Sequence, residues 1–201
     1  GLWEFPHLQR GDPAVRGPDG KLILNDGTGL VFVLIAGGTF RMGAQKTDPT
    51  ATNYDPQAIE NESPVHEVAL SPYMLSKYEM TQGQWLRIAG RNPSAFSPSH
   101  PYYGRFDLTH PVEEVRWTDC MELLHSLGLA LPTEAQWEFA CRGGTDTPWW
   151  TGGTRESLRG RVNLADQAAW RAGVRWAEIH DWPDLDDGWP AHAPVGSMAA
   201  N

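Results

Sequence analysis

Residues 131–144 read LPTEAQWEFACRGG, and this stretch decides the fold. Thr133 is placed as a helix N-cap, its hydroxyl accepting from the amide three residues on. Gln136 stands where a capping-box side chain reaches back to the amide of the cap. Trp137, Phe139, Ala140 and Cys141 supply apolar bulk, with Glu138 set between two aromatic rings. Gly143 and Gly144 end the helix, because glycine takes the left-handed C-terminal position at little steric cost. A short helix with this much aromatic surface is expected to dock against the domain. Glu138 is expected to be a structural carboxylate paired with an arginine or backbone amides, since burying it unpaired is costly.

Working toward the N-terminus, Thr118 is predicted to cap a helix running through Leu127, with Gly128 as its stop. Thr81 is predicted to cap Gln82–Ala89, closed by Gly90. Residues 30–35 (LVFVLI) read as a buried strand, turned at Ala36-Gly37-Gly38 and returning as Thr39–Met42, which predicts a hairpin. Residues 44–64 form a polar loop, 65–70 alternate as a half-buried strand, and 73–80 are again extended. Residues 1–29 are punctuated by Gly11-Asp12-Pro13, Gly17-Pro18-Asp19-Gly20 and Asn25-Asp26-Gly27. They read as an N-terminal extended arm or linker, and 30–201 as the domain.

Toward the C-terminus, the chain from Thr145 onward is expected to be mostly irregular. Trp149, Trp150, Trp170, Trp176, Trp182 and Trp189 anchor it. Such tryptophans pin loops that lack regular hydrogen-bond ladders, each burying a large area. A carbohydrate or peptide groove lined by Trp149, Trp150 and Trp170 is the alternative reading.

The 201 residues fit one large domain, and ten Trp, 21 Gly and 16 Pro suggest short elements and many loops. A net charge of −9 argues against nucleic acid as the main partner, because a phosphate backbone needs a basic face. No apolar run reaches membrane-spanning length, so no membrane partner is expected. Two cysteines are too few for a disulfide scaffold. Cys120 and Cys141 are expected to be buried structural thiols, a disulfide between them being the lesser reading. No Gly-x-Ser-x-Gly, P-loop or dinucleotide glycine pattern is present. The seven histidines form no i, i+4 pair and read mostly as surface or hydrogen-bonded residues. Asp181, Asp184, Asp186 and Asp187 repel one another unless solvated or bridged by a cation. Composition alone favours a solvated acidic loop, with calcium as the alternative, since it takes six to eight oxygens.

LPTEAQWEFACRGG resembles the formylglycine-generating enzyme (sulfatase-modifying factor) family. Further matches follow in the family's order. They are Ile35–Gly43 (IAGGTFRMG), Glu62–Val68 (ESPVHEV), Tyr78–Trp85 (YEMTQGQW), and His110-Pro111-Val112 with Val115–Asp119 (VRWTD). Each is weak alone; five in order are specific. The resemblance implies an α+β, elaborated C-type-lectin-like fold, low in regular secondary structure and incomplete at the C-terminus. It also implies a structural calcium, with Asn163 and Asp187 as side-chain ligands and Leu164 and Trp189 as carbonyl ligands. Asp186 is the neighbouring register for Asp187.

Family members oxidise a protein cysteine to formylglycine with oxygen and copper. Their copper-binding cysteine pair lies in a segment past the position of Asn201, so copper is expected only with that segment. No residue of this chain carries over as catalytic. The expected function is therefore the N-terminal part of such a domain, inactive alone. The alternative is a non-catalytic lectin-like module that binds a protein or ligand. Expected partners are a protein or peptide substrate, or a polypeptide that completes the domain.

Overall fold

The computed structural model describes residues 2–7, 11–101 and 106–200. The strands are Glu4–Pro6 (β1), Val15–Arg16 (β2), Leu22–Ile23 (β3), Val31–Ile35 (β4), Gly38–Met42 (β5), His66–Leu70 (β6) and Tyr73–Ser76 (β7). The α-helices are Gln82–Ala89 (α1), Trp117–Ser126 (α2), Glu134–Arg142 (α3) and Gln167–Arg171 (α4). Short 3-10 turns lie at Glu60–Glu62, Arg155–Leu158 and Ala177–Asp181. The class is α+β, with much of the chain in loops, as the sequence implies.

β4 is the centre of an antiparallel sheet ordered β1-β4-β7, while β5 pairs with β6 in a separate two-stranded sheet. The predicted hairpin between residues 30–35 and 39–42 therefore does not form. Its two strands exist, but Ala36-Gly37-Gly38 carries the chain from one sheet to the other. Gly37 makes this possible. Its φ is 73°, and a Cβ there would lie 2.3 Å from the Leu70 carbonyl oxygen. Only glycine tolerates both the conformation and the approach. Within β4 the alternation is regular: Val31 and Val33 are buried, and Leu34 faces out opposite Met74.

α1 begins as expected, with Thr81 and Gln84 forming a reciprocal capping box. Its first turn is buried, and its polar side chains tie down irregular chain. Gln84 Nε2 donates to the carbonyls of Thr28 and Gly29, and Gln82 Nε2 donates to that of Phe96. Side-chain amides satisfy main-chain groups that have no ladder partner. α2 starts one residue before Thr118, with Arg116 at the N-cap position. The Asp119 carboxylate accepts from the Arg116 amide at 3.4 Å, which places Thr118 inside the first turn rather than at the cap.

α3 forms as LPTEAQWEFACRGG predicts. Thr133 accepts from the Gln136 amide, Gln136 returns to the Thr133 amide, and Gly143 closes the helix at φ 55°. It docks on the β5–β6 sheet through Phe139, whose ring meets Phe40 edge-on at 5.2 Å. Tyr73 adds a hydroxyl bond of 2.6 Å to the Gln136 carbonyl. Glu138 Oε1 accepts from the Gly43 amide and from Arg142 Nε, both at 2.8 Å, and Arg142 Nη2 donates to the Gly43 carbonyl. The expected pairing of Glu138 is thus present on both sides. The outward stripe departs from expectation: Trp137 is 60% exposed and Cys141 is exposed, not buried. Docking uses the 138–139 side of the helix, and a nine-residue helix on a two-stranded sheet has only one covered face.

Candidate cation site in the loops 163–193

Asn163 and Asp187 come from loops far apart in sequence and meet directly. Asn163 Nδ2 donates to Asp187 Oδ2 at 2.7 Å and to the Ala191 carbonyl at 2.9 Å. Its Oδ1 accepts from the Ala193 amide at 3.1 Å. Leu164 and Trp189 join through their amides, which donate to Asp187 Oδ2 and Oδ1 at 2.8 and 2.7 Å. The structure thus gathers all four residues named from the sequence around one carboxylate. Asp186 points elsewhere, into a two-contact ion pair with Arg171 at 2.5 and 2.9 Å. That geometry separates the two registers, leaving Asp187 to face Asn163.

Asp166 was not legible as part of this cluster. It is 1% exposed, accepts from the Ala168 amide as the cap of α4, and also accepts from the Asp187 amide at 2.7 Å. Burial pushes its carboxyl above the ordinary range, and the Asp187 charge adds to this. The available signal was an Asp directly before Gln-Ala-Ala, a capping pattern. A cavity of about 10 Å³, room for about one water-sized sphere, is lined by Leu164, Asp166, Asp186 and Asp187 among others.

Calcium takes oxygen ligands, whereas Leu164 and Trp189 here meet the Asp187 carboxylate through their amides and not their carbonyls. In this geometry Asp187 is already capped by N–H groups, and the Asn163 oxygen faces Ala193. A half-turn of the Asn163 amide, which exchanges two atoms of equal size, would turn its oxygen toward Asp187 and the Ala191 carbonyl. Among the described residues no three His, Cys, Asp or Glu side chains gather as a metal-binding group. A cation here would have to draw on amide and carbonyl oxygens, as calcium does.

The rings named for the alternative aromatic groove each have a neighbour of their own. Trp149 meets Trp182 at 6.3 Å, Arg161 lies over Trp150, and Arg175 stacks on Trp170 at 4.0 Å. Each ring is held by its own neighbour, which favours the reading of tryptophans as loop pins.

Of two largely buried histidines, His110 is hydrogen-bonded as expected, and His192 departs from that reading. His110 is 2% exposed, and its Nδ1 accepts from the Asp107 amide. His192 packs against His110, Phe106 and Phe96 at ring separations of 5.3, 5.3 and 5.7 Å, and both its ring nitrogens are buried without a hydrogen bond. Burial, with the neighbouring His110 charge, pushes its pKa down to about 4.

The cysteines lie on different helices, Cys120 on α2 and Cys141 on α3, and both are thiols. Desolvation raises both pKa values above the ordinary thiol range. Neither is primed as a thiolate at neutral pH, and it is the thiolate that attacks or binds metal.

Residues 25–201 match the family described as "Sulfatase-modifying factor enzyme 1-like domain". The chain is 29% identical over 212 residues to the formylglycine-generating enzyme of Thermomonospora curvata, a match covering 85% of this chain and 65% of the enzyme. It is 26% identical over 181 residues to the chaperone protein LppX of Paenibacillus barcinonensis, covering 67% of this chain and 58% of the relative. It therefore spans about two thirds or less of the length of these relatives. In fold it is similar to PvdO from Pseudomonas aeruginosa, with a TM-score of 0.56 at 18% identity, covering 89% of this chain and 66% of that one. The ordered motifs, the α+β frame with its loop-rich second half, and the match across residues 25–201 lead to one conclusion: the chain belongs to the sulfatase-modifying factor family, with its C-type-lectin-like fold.

Proposed function

We propose that this chain supplies the scaffold of a formylglycine-generating-enzyme-like domain, tied by calcium at Asn163, Leu164, Asp187 and Trp189, and does not itself carry the oxidative chemistry. The observation that carries the reading is the state of its thiols. The family reaction oxidises a protein cysteine using a copper-binding cysteine pair. Here Cys120 and Cys141 sit on different helices with raised pKa values. The region with converging polar groups is instead the Asn163–Asp187 cluster, whose job is to hold irregular chain together.

The test uses the purified 201-residue chain with copper, oxygen and a Cys-x-Pro-x-Arg peptide. The expected result is no conversion of the peptide cysteine, read by mass spectrometry. Conversion above the copper-only control overturns the proposal.

A second reading is a non-catalytic protein-binding module. The likeness to a relative described as a chaperone favours it, since that name refers to protein binding rather than oxidation. The same assay separates the readings once the chain is part of a complete domain. A complete domain that oxidises the peptide supports the scaffold role, and one that binds unfolded protein without oxidising it supports the binding module.

A further inference from the structure

A cavity of about 230 Å³ lies between α1 and α2, and no residue of the Asn163–Asp187 cluster lines it. Trp85 and Ile88 of α1 line it at a spacing of three, so one face of that helix is turned to it. Asp119, Glu122 and Leu123 of α2 line it at i, i+3 and i+4, again one helix face. Arg91, just past the Gly90 cap, completes the lining with a cation. Trp85 is 3% exposed, yet its indole N–H is buried with no hydrogen-bond partner. A buried indole donor ordinarily finds an acceptor, so this one calls for an explanation.

The charges around the cavity are uncommitted too. Arg91, Asp119 and Glu122 form no ion pair with one another or with any other described residue. Unpaired surface charges are ordinary in water. Here both signs surround apolar walls that hold an orphan donor, and small-ligand sites have that composition: mostly apolar, with a few polar groups in place. The volume falls below the about 300–1,000 Å³ of drug-sized sites, so the ligand is small. Among the described residues no third acid, His or Cys joins Asp119 and Glu122, which tells against a bare metal ion.

We propose that the cavity between α1 and α2 binds a free α-amino acid with an apolar side chain. Its ammonium group meets Asp119 and Glu122, and its carboxylate meets Arg91, since guanidinium and carboxylate pair through two parallel hydrogen bonds. A carboxylate oxygen also accepts from the Trp85 indole N–H, and the side chain lies against Trp85, Ile88 and Leu123. The same charges taken singly would come from a peptide terminus, so the experiment separates the sources.

The 201-residue chain is labelled with ¹⁵N at its indole nitrogens and titrated with L-leucine. Trp85→Phe identifies the Trp85 peak by its loss. L-leucine is expected to move that peak, with a dissociation constant of about 1 mM or tighter. Leucinamide, which stands for a peptide N-terminus, and N-acetyl-leucine, which stands for a C-terminus, are each expected to bind at least about tenfold more weakly. Arg91→Gln should weaken leucine binding about tenfold and leave leucinamide unchanged, and Glu122→Gln should weaken leucine and leave N-acetyl-leucine unchanged. Both positions are exposed, so neither change threatens the fold. An unmoved Trp85 peak overturns the proposal. So does equal binding of either blocked leucine, which would make the occupant a peptide end, or a shift produced by Mg²⁺ alone, which would make it a cation.

Discussion

Asn163 Nδ2 and Asp187 Oδ2 lie 2.7 Å apart across 24 positions of sequence, and the Asn163 amide also holds the chain at Ala191 and Ala193. One short side chain therefore ties its own loop to three points of the 187–193 segment. Replacing Asn163 by Ala leaves the Ala191 carbonyl, the Ala193 amide and the Asp187 carboxylate short of a partner. The expected loss is about 2–4 kcal/mol, since each buried group left unsatisfied costs about 1–3 kcal/mol. Thermal unfolding of the variant measures it.

Calcium binding at this cluster predicts a separate effect. Added Ca²⁺ should raise the melting temperature of the unaltered chain, by about 2.7 kcal/mol of stability at a hundredfold excess over the dissociation constant. Chelator should reverse it. Asp187→Asn should abolish the response while keeping a side chain of the same shape. An unmoved melting temperature on Ca²⁺ addition removes the calcium assignment and leaves the hydrogen-bonded cluster standing.

Glu138 binds Gly43 of the β5–β6 sheet and Arg142 of its own helix, and both carboxylate and guanidinium are largely covered. Glu138→Ala is expected to cost about 2 kcal/mol, because hydrogen bonds to charged groups contribute about 1.5–3 kcal/mol. Glu138→Gln should recover part of this by keeping the acceptor for Gly43. Denaturant unfolding of the two variants side by side gives the difference.

His192 gives a pH prediction. Its folded pKa of about 4 lies below the ordinary 6.5, so the folded state favours the neutral ring. Its contribution is fully present above pH 6.5 and is lost as pH falls from 6.5 toward 4. The loss reaches up to about 3 kcal/mol over that window. The facing groups are His110, which opposes protonation, and Glu113, whose Oε1 lies 3.9 Å from His192 Nε2. His192→Phe should flatten the stability profile between pH 6.5 and 4. A slope equal to that of the unaltered chain would assign the acid sensitivity elsewhere.

Gly37→Ala tests the passage between sheets. A left-handed φ and a Cβ set against the Leu70 carbonyl oxygen predict a loss of about 3 kcal/mol, far above the usual cost of an exposed Gly→Ala change. Urea unfolding would show it, and a change below about 0.5 kcal/mol would mean that the turn relaxes.

Local signals were legible where a few neighbouring residues decide the outcome. The α3 cap pair Thr133 and Gln136 and the terminator Gly143 act within one turn of chain, and all three appear as read. What the sequence hid depends on distant partners. Whether residues 30–35 and 39–42 pair with each other or with other strands is decided by β1, β6 and β7, which no local pattern reveals. The helix α2 starts one residue earlier than read, with Arg116 at the cap and its amide donating to the Asp119 carboxylate. Cys141 was read as buried because free cysteines usually are, but it is exposed, since the docking face of a helix is set by what lies opposite it. At the site, the family motifs located Asn163 and Asp187, while Asp166 emerged only once the loops were placed.

The switch at Ala36–Gly38 also sets an order of assembly. β4 needs β7 as a partner, and β5 needs β6, so neither sheet can be completed by the segments next to it in the chain. As the polypeptide leaves the ribosome, β4 has β1 for one edge but must wait for β7 on the other until residue 76 has emerged, and β5 must wait for β6 until residue 70 has. Distant pairings of this kind are slow to form because loop closure precedes any reward. For this chain the hazard of aggregation therefore falls early in synthesis, before the helices that carry its family motifs exist.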